Sequence, residues 1–135
     1  MKKAKQGLAA LAAMASFGAA HAADWVDMGS NSDVSYSIDA NSMREVQDGE
    51  VRGWVKVEYT STQYLNGKPF DTVKYNNRFF CKTRRAASGF AVFLNRGQVA
   101  LRTDKWGEIR DVVPDSDGER FLDAACYAVA TAKGN

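Results

Sequence analysis

The chain has 135 residues with 18 basic and 16 acidic side chains, which give a formal net charge of +2. A chain of this length holds one domain with one modest hydrophobic core. Three of the basic residues lie among the first 22 residues, so the remainder carries 15 − 16 = −1 charge, which argues against a nucleic-acid-binding domain.

The first 22 residues follow the layout of a secretory signal peptide. Three lysines precede an apolar stretch over residues 7–20, and Ala20-His21-Ala22 supplies a small-x-small cleavage site. We expect cleavage after Ala22, which leaves residues 23–135 as a single exported domain without a transmembrane segment. No cysteine lies near this junction, so we expect a periplasmic or secreted protein and not a lipoprotein.

The two cysteines and the one histidine limit the available chemistry. In an oxidising compartment we expect Cys81 and Cys126 to form one disulfide. His21, the only histidine, leaves with the signal peptide. The domain then has neither an imidazole nor a free thiol for a nucleophile pair or a zinc site. Because no catalytic motif appears either, we expect a non-enzymatic protein without a cofactor, a metal or catalytic residues.

Strand patterns dominate the chain up to about residue 103. Val34, Tyr36 and Ile38 alternate with polar residues, which is the period-two pattern of a half-buried strand. Asn66-Gly67 and residues 95–98 are typical of tight hairpins. We predict five or six antiparallel strands in meander order, over residues 25–28, 33–39, 51–64, 70–85, 90–94 and 99–101.

The two long strands predict which side chains share a face. Residues Val55, Val57 and Tyr59 point one way, and Trp54, Lys56 and Glu58 point the other. In the next strand Val73, Tyr75, Phe79 and Cys81 are in phase.

The last segment changes to helical spacing. Ser116 and Glu119 are spaced as a capping box at the start of a helix. This capping also explains the local acidic residues, for which a calcium site on Asp111, Asp115, Asp117 and Glu119 is the alternative. One apolar stripe contains Phe121, Leu122, Ala125, Cys126 and Val129. We therefore expect an α+β fold in which the helix lies on one sheet face with Cys81 beneath it.

The order of these residues resembles the surface-adhesin protein E family of small exported bacterial domains. The resemblance runs from Trp25 to Cys126, through Ile38-Asp39, Ser42-Met43, Trp54-Val55-Lys56-Val57, Phe79-Phe80-Cys81, Arg84-Arg85, Trp106 and Val113-Pro114-Asp115-Ser116. It implies a six-stranded antiparallel sheet whose concave side holds a disulfide-tethered C-terminal helix, in a Gram-negative envelope. The name-giving member binds host matrix and serum proteins and forms dimers.

Our first hypothesis is an exported domain that binds a protein or an envelope component through its sheet surface and self-associates there. Trp54 is out of phase with its apolar neighbours, so either the sheet is covered on both faces or Trp54 lies on an exposed or dimer-forming face. The basic segment with Lys82, Arg84 and Arg85 is the second candidate, although it also fits a solvated strand end. We expect Trp25 and Trp106 to be core or edge-covering residues.

Two other functions remain as alternatives. A small-ligand or inhibitor module would use a pocket between helix and sheet, lined by Phe79, Phe90, Phe121 and Tyr127. A hydrolase would need two facing carboxylates in a cleft.

Overall fold

The computed structural model describes residues 22–134, and within this range the chain forms one antiparallel sheet and one α-helix. The predicted signal peptide lies outside the described residues, apart from Ala22. In chain order the elements are β1 (Trp25–Ser30), β2 (Val34–Asp39), a 3-10 turn (Ala40–Ser42), β3 (Arg44–Gln47), β4 (Glu50–Leu65), β5 (Lys68–Phe80), β6 (Arg85–Ala87), β7 (Ala91–Asn95), β8 (Gln98–Thr103), β9 (Arg110–Asp111) and α1 (Asp117–Lys133).

A long hairpin of β4 and β5 forms the centre of the sheet. Its turn residues Asn66 and Gly67 have φ angles of 50° and 74°, the left-handed backbone that two-residue hairpin loops require. β7 and β8 form a second such hairpin, in which Arg96 and Gly97 have φ angles of 50° and 80°. Both predicted turns are confirmed.

The antiparallel meander is confirmed, but the predicted count of six strands was wrong, because the described chain forms nine. The nine strands occupy six positions across the sheet, and three of these positions are each shared by two shorter strands that follow one another. β2 and β3 both pair with β4, β6 and β7 both pair with β5, and β9 and β8 pair with β6 and β7 in turn.

Local backbone geometry explains the interruptions. The 3-10 turn separates β2 from β3. The strand predicted over residues 70–85 ends at Phe80, because the chain turns before Arg85 and Arg84 adopts a φ of 57°. Between β6 and β7, Gly89 lies against the backbone carbonyl of Asn76, so closely that a side chain would not fit.

The helix covers one face of the sheet, as the sequence predicts. Ser116 caps its start by accepting a hydrogen bond from the backbone N–H of Glu119 at 3.3 Å. In a standard capping box Glu119 would accept a hydrogen bond from the backbone N–H of Ser116. Here its side chain accepts from the N–H of Asp115, one residue earlier. The core beneath the helix contains Ile38, Val51, Val55, Phe79, Phe121, Leu122, Ala125 and Val129.

The predicted disulfide joins this helix to the sheet. Cys81 follows directly after β5, Cys126 lies on α1, and their Cα atoms are 5.9 Å apart. Both cysteines pack against the core cluster. The bond therefore fastens the helix at the end of the central hairpin where β5 stops.

A second apolar cluster lies farther along β5, where β7 and β8 join the sheet. Its buried members are Phe70, Val73, Ala91 and Phe93. Tyr59 and Tyr75 pack against it, and burial raises the pKa of Tyr75. This cluster shares its sheet face with the helix, since Val57 and Val55 pair with Val73 and Tyr75.

Among residues 22–134, no helix covers the opposite face of the sheet. Residues of β4 and β5 that alternate with the buried ones point to this side, where most of them are partly exposed and Glu50 is buried. We call this surface the helix-free face, and its central residues are Glu50, Arg52, Trp54, Lys56, Lys74, Asn76 and Arg78.

Candidate functional site

The predicted basic segment lies in the turn after β5, where its charges have acidic partners. Lys82 pairs with Asp48, which lowers the pKa of that carboxyl and raises the pKa of Lys82. Arg84 pairs with Asp123 and Glu119 of the helix, and the hydrogen bond to Asp123 raises its pKa. These contacts join Lys82 and Arg84 to neighbouring elements.

Arg85 has the same kind of environment. Its Nε lies 3.1 Å from a carboxylate oxygen of Asp111, its cross-strand partner on β9. The three basic residues singled out from the sequence are therefore each ion-paired within the fold. Binding by this segment stays a prediction.

Trp54 occupies the helix-free face, so the structure does not bring it together with Lys82 and Arg84. The indole is half-buried and meets the ring of Phe90 edge-on, with centroids 5.1 Å apart. Phe90 in turn contacts Trp106 at 6.1 Å. The three rings form a continuous aromatic strip on this face.

Two pairs of cations stand on either side of Trp54. Arg52 lies directly opposite Arg78, and Lys56 lies directly opposite Lys74. Directly opposed like charges destabilise a sheet. A protein that keeps two such pairs on one face must offset this cost locally or use the charge.

Two tryptophan rings cover these cations. Trp106 lies 5.1 Å from the guanidinium carbon of Arg52 and 5.6 Å from that of Arg78. Trp25 lies 4.4 Å from the ammonium of Lys56 and 5.6 Å from that of Lys74. Each such contact stabilises by about 0.5–1 kcal/mol at an exposed site.

The expectation for these two tryptophans needs one correction. Trp25 is half-buried at the sheet edge, as predicted. Trp106 is 43% exposed, because it lies in the loop after β8 and covers arginines rather than the core. Its exposed ring is therefore available to a partner.

A buried carboxylate supports one end of the face. Glu50 is 1% exposed, and its Oε1 accepts a hydrogen bond from Nε of Arg78 at 2.7 Å and lies 2.6 Å from Nη2 of the same arginine. Its Oε2 lies 3.4 Å from Nη2 of Arg52 and accepts from Gln47 at 3.2 Å. Glu50 thus fixes both guanidinium groups in place.

Most of these residues were missed as site candidates in the sequence. A signal was nonetheless present, since the alternate positions Glu50, Arg52, Trp54, Lys56 and Glu58 are all charged or aromatic. What the sequence could not supply was the register that sets Arg52 opposite Arg78 and Lys56 opposite Lys74.

The predicted pocket between helix and sheet is not formed by the residues proposed for it. Phe79 and Phe121 are buried in the core, Tyr127 is 73% exposed, and Phe90 lies with Trp54 on the other face. A groove of about 410 Å³ runs instead between the helix and the first two strands, lined by Val26, Met28, Ile38, Ala40, Ala124, Tyr127, Ala128 and Thr131.

The acidic residues near the helix start do not converge on a common point. Asp111 pairs with Arg85, and Asp117 lies 3.6 Å from Arg120. Within residues 22–134 no three His, Cys, Asp or Glu side chains lie together as metal ligands would.

Comparison with known families agrees with the architecture. The family model described as surface-adhesin protein E matches residues 25–127. The chain belongs to the surface-adhesin protein E family. The match spans the sheet, the disulfide and most of the helix, and this membership points to an adhesin-like protein that is exported or at the surface.

Two further findings accompany this assignment. Comparison with the curated proteins gives no significant match. Among the described residues, no helix has the length and apolar character needed to cross a membrane.

Proposed function

We propose that this member of the surface-adhesin protein E family is an exported, non-enzymatic protein of a Gram-negative envelope that binds a protein partner through the helix-free face. The observation that carries the proposal is the combination of Trp25, Trp54 and Trp106 with two opposed cation pairs on one uncovered face. Tryptophan and arginine are the residues most enriched among those that dominate binding energy at interfaces.

The other face is a poorer candidate for binding a protein. The helix and the second apolar cluster occupy it. The predicted basic segment is neutralised by ion pairs within the fold. The helix-free face keeps exposed aromatic area and unbalanced positive charge, which are the features that a partner of complementary charge recognises.

Export is supported by two features of the chain. The first 22 residues have the signal layout, and a disulfide such as Cys81–Cys126 persists in the periplasm or outside the cell. Without a cysteine at the predicted cleavage site, the mature protein would be periplasmic or secreted and would carry no lipid anchor.

Self-association stays a prediction. A symmetric dimer through the helix-free face would apply the same patch to both subunits and would bring the cation pairs of one copy toward those of the other. Repulsion of this kind disfavours such a dimer. Sedimentation of the purified protein tests this, since a dimer that Trp106→Ala dissolves would show that the face pairs with itself.

Crosslinking capture from the native envelope tests the proposed function. We expect Trp54→Ala and Trp106→Ala to reduce recovery of the same partner severalfold, because each removes an aromatic anchor from the face. Tyr127→Ala is the matched control, since it removes an exposed aromatic ring from the helix. Equal recovery with all three variants would contradict a role for the helix-free face.

A second candidate function rests on the groove between the helix and the first two strands. Its volume of about 410 Å³ lies at the lower end of the range of small-ligand sites, and its lining is largely apolar. A periplasmic module for a small apolar ligand would bind there. Binding of such a ligand that Ala128→Trp abolishes and Trp106→Ala leaves unchanged would favour this function.

A further inference from the structure

Three arginines stand directly opposite one another on neighbouring strands of the helix-free face. Arg44 of β3 is the cross-strand partner of Arg52 on β4, and Arg52 is the partner of Arg78 on β5. We call these three residues the arginine row. Directly opposed like charges cost folding free energy, so the row needs anions to balance it.

The fold supplies one anion for the three cations. The carboxylate of Glu50 is held by Arg78 and reaches Arg52, which leaves an excess of 3 − 1 = 2 positive charges. Within the described residues Arg44 has no ion pair and no side-chain hydrogen bond, and the buried Nε of Arg52 has no acceptor. The unused donors are therefore at the Arg44 end of the row.

A small cavity opens at that end. Its volume is about 190 Å³, and it is lined by Asn41, Ser42, Arg44, Arg52, Gly53, Trp54 and Asn76. Sites for drug-sized ligands begin at roughly 300 Å³, so this cavity is too small for one. It has the size expected for one side chain of a partner, with an indole wall, two amides and two guanidinium groups around it.

We propose that the arginine row binds a side-chain carboxylate from an acidic segment of a protein partner. The inference rests on the proposed function and deepens it by naming the chemistry of the partner. A guanidinium group presents a planar fork of donors that matches a carboxylate. Glu50 already binds Arg78 from within the chain, where Nε and Nη2 of the guanidinium group both lie within 2.7 Å of its Oε1.

The second cation pair extends the match along the strand. Lys56 lies four residues beyond Arg52 on β4, and Lys74 pairs with it on β5. Four residues of extended chain span roughly 13 Å. An extended partner segment with acidic residues at positions i and i+4 would therefore place one carboxylate at each cation pair, with Trp54 between them.

The test is titration of the purified protein with a fluorescent poly-glutamate peptide, followed by anisotropy at low salt. We expect the peptide to bind, and Arg44→Glu to weaken binding about tenfold or more, because reversing a contact charge both removes an attraction and adds a repulsion. Arg96→Glu is the matched control, since it makes the same charge change at an exposed residue of the turn between β7 and β8, away from both cation pairs.

Two further arms identify the ligand. Arg44→Lys keeps the positive charge but loses the planar guanidinium donors, so it should weaken binding of the peptide by less than Arg44→Glu. Heparin and a single-stranded oligonucleotide serve as competing polyanions. Equal weakening by Arg44→Glu and Arg96→Glu would overturn the proposal, and so would binding of either competitor while poly-glutamate fails to bind.

This experiment can fail separately from the capture experiment. If poly-glutamate does not bind while partner capture still depends on Trp106, only the acidic-segment inference falls. If Trp54→Ala and Trp106→Ala leave partner recovery unchanged while poly-glutamate binds through Arg44, the acidic-segment inference holds and the proposed interface is wrong.

Discussion

At the scale of single residues, Glu50 has the most demanding environment in the described chain. Its carboxylate is buried, and it is paired with the guanidinium groups of Arg78 and Arg52, whose side chains remain 22% and 35% exposed. A charge that loses its hydration must recover the cost from close partners. Glu50 does so through Arg78, and in return it neutralises part of the arginine row.

The first prediction concerns this carboxylate. Glu50→Gln should lower the free energy of unfolding by about 2 kcal/mol, because it removes charge-assisted hydrogen bonds and leaves two opposed arginines without an anion. The partial exposure of the arginines keeps the loss below that of a fully buried ion pair. Chemical denaturation measures it.

The control is Glu58→Gln on the same strand. Glu58 pairs with Lys56 at 3.2 Å, but its side chain is 51% exposed, so its loss should cost less than about 1 kcal/mol. If the two variants destabilised equally, Glu50 would contribute no more than a surface ion pair.

At the scale of elements, β4 and α1 organise the molecule. β4 alternates buried Val51, Val55 and Val57 with the charged and aromatic residues of the helix-free face. The helix seals the apolar side and is fastened by Cys81–Cys126. One element therefore contributes both to the core and to the candidate binding surface.

The second prediction concerns the disulfide. The bond closes a sequence separation of 45 residues, for which loop-closure entropy gives on the order of 4 kcal/mol. The double variant Cys81→Ala/Cys126→Ala should lose about that much free energy of unfolding, and it should become insensitive to reductant. Unreduced mass spectrometry is the direct check, and free thiols at both positions would contradict the bond.

At the scale of the whole molecule, the sheet carries two apolar clusters of different origin. The first lies under the helix and includes residues distant in sequence, from Ile38 to Val129. The second forms among β5, β7 and β8 around Val73 and Phe93, without a buried helix residue. Only the first depends on the helix remaining attached.

The third prediction follows from this division. After reduction of the disulfide, hydrogen exchange should accelerate first in α1 and β6, which pack at the tethered end. Exchange around Val73 and Phe93 should change little, since local opening follows local contacts. Equal acceleration in both clusters would show that the two behave as one cooperative unit.

Much of this architecture followed from local sequence patterns. Alternation identified the buried side of β2 and β4, the capping residue Ser116 located the helix start, and Asn66-Gly67 located the central turn. Strand interruptions were missed, because the breaks before Arg85 and at Gly89 depend on contacts with other parts of the chain.

The candidate site was far less predictable. The sequence selected Lys82, Arg84 and Arg85 because they are close together in the chain, and the fold pairs each of them with an acid. It placed Trp54 on the face opposite Val55 and Val57, as the strand register shows, but it did not identify the residues around Trp54. A role of Trp54 in binding stays a prediction.

By itself the sequence determined the α+β class, the cysteine pair and the two faces of the central strands, because periodicity and capping act over a few residues. Only the tertiary structure decided which cations meet. Arg44, Arg52 and Arg78 come from three separate strands, and register alone makes them a row. Hydrogen-bond register is a property of paired strands, and it sets the charge pattern that a partner would encounter.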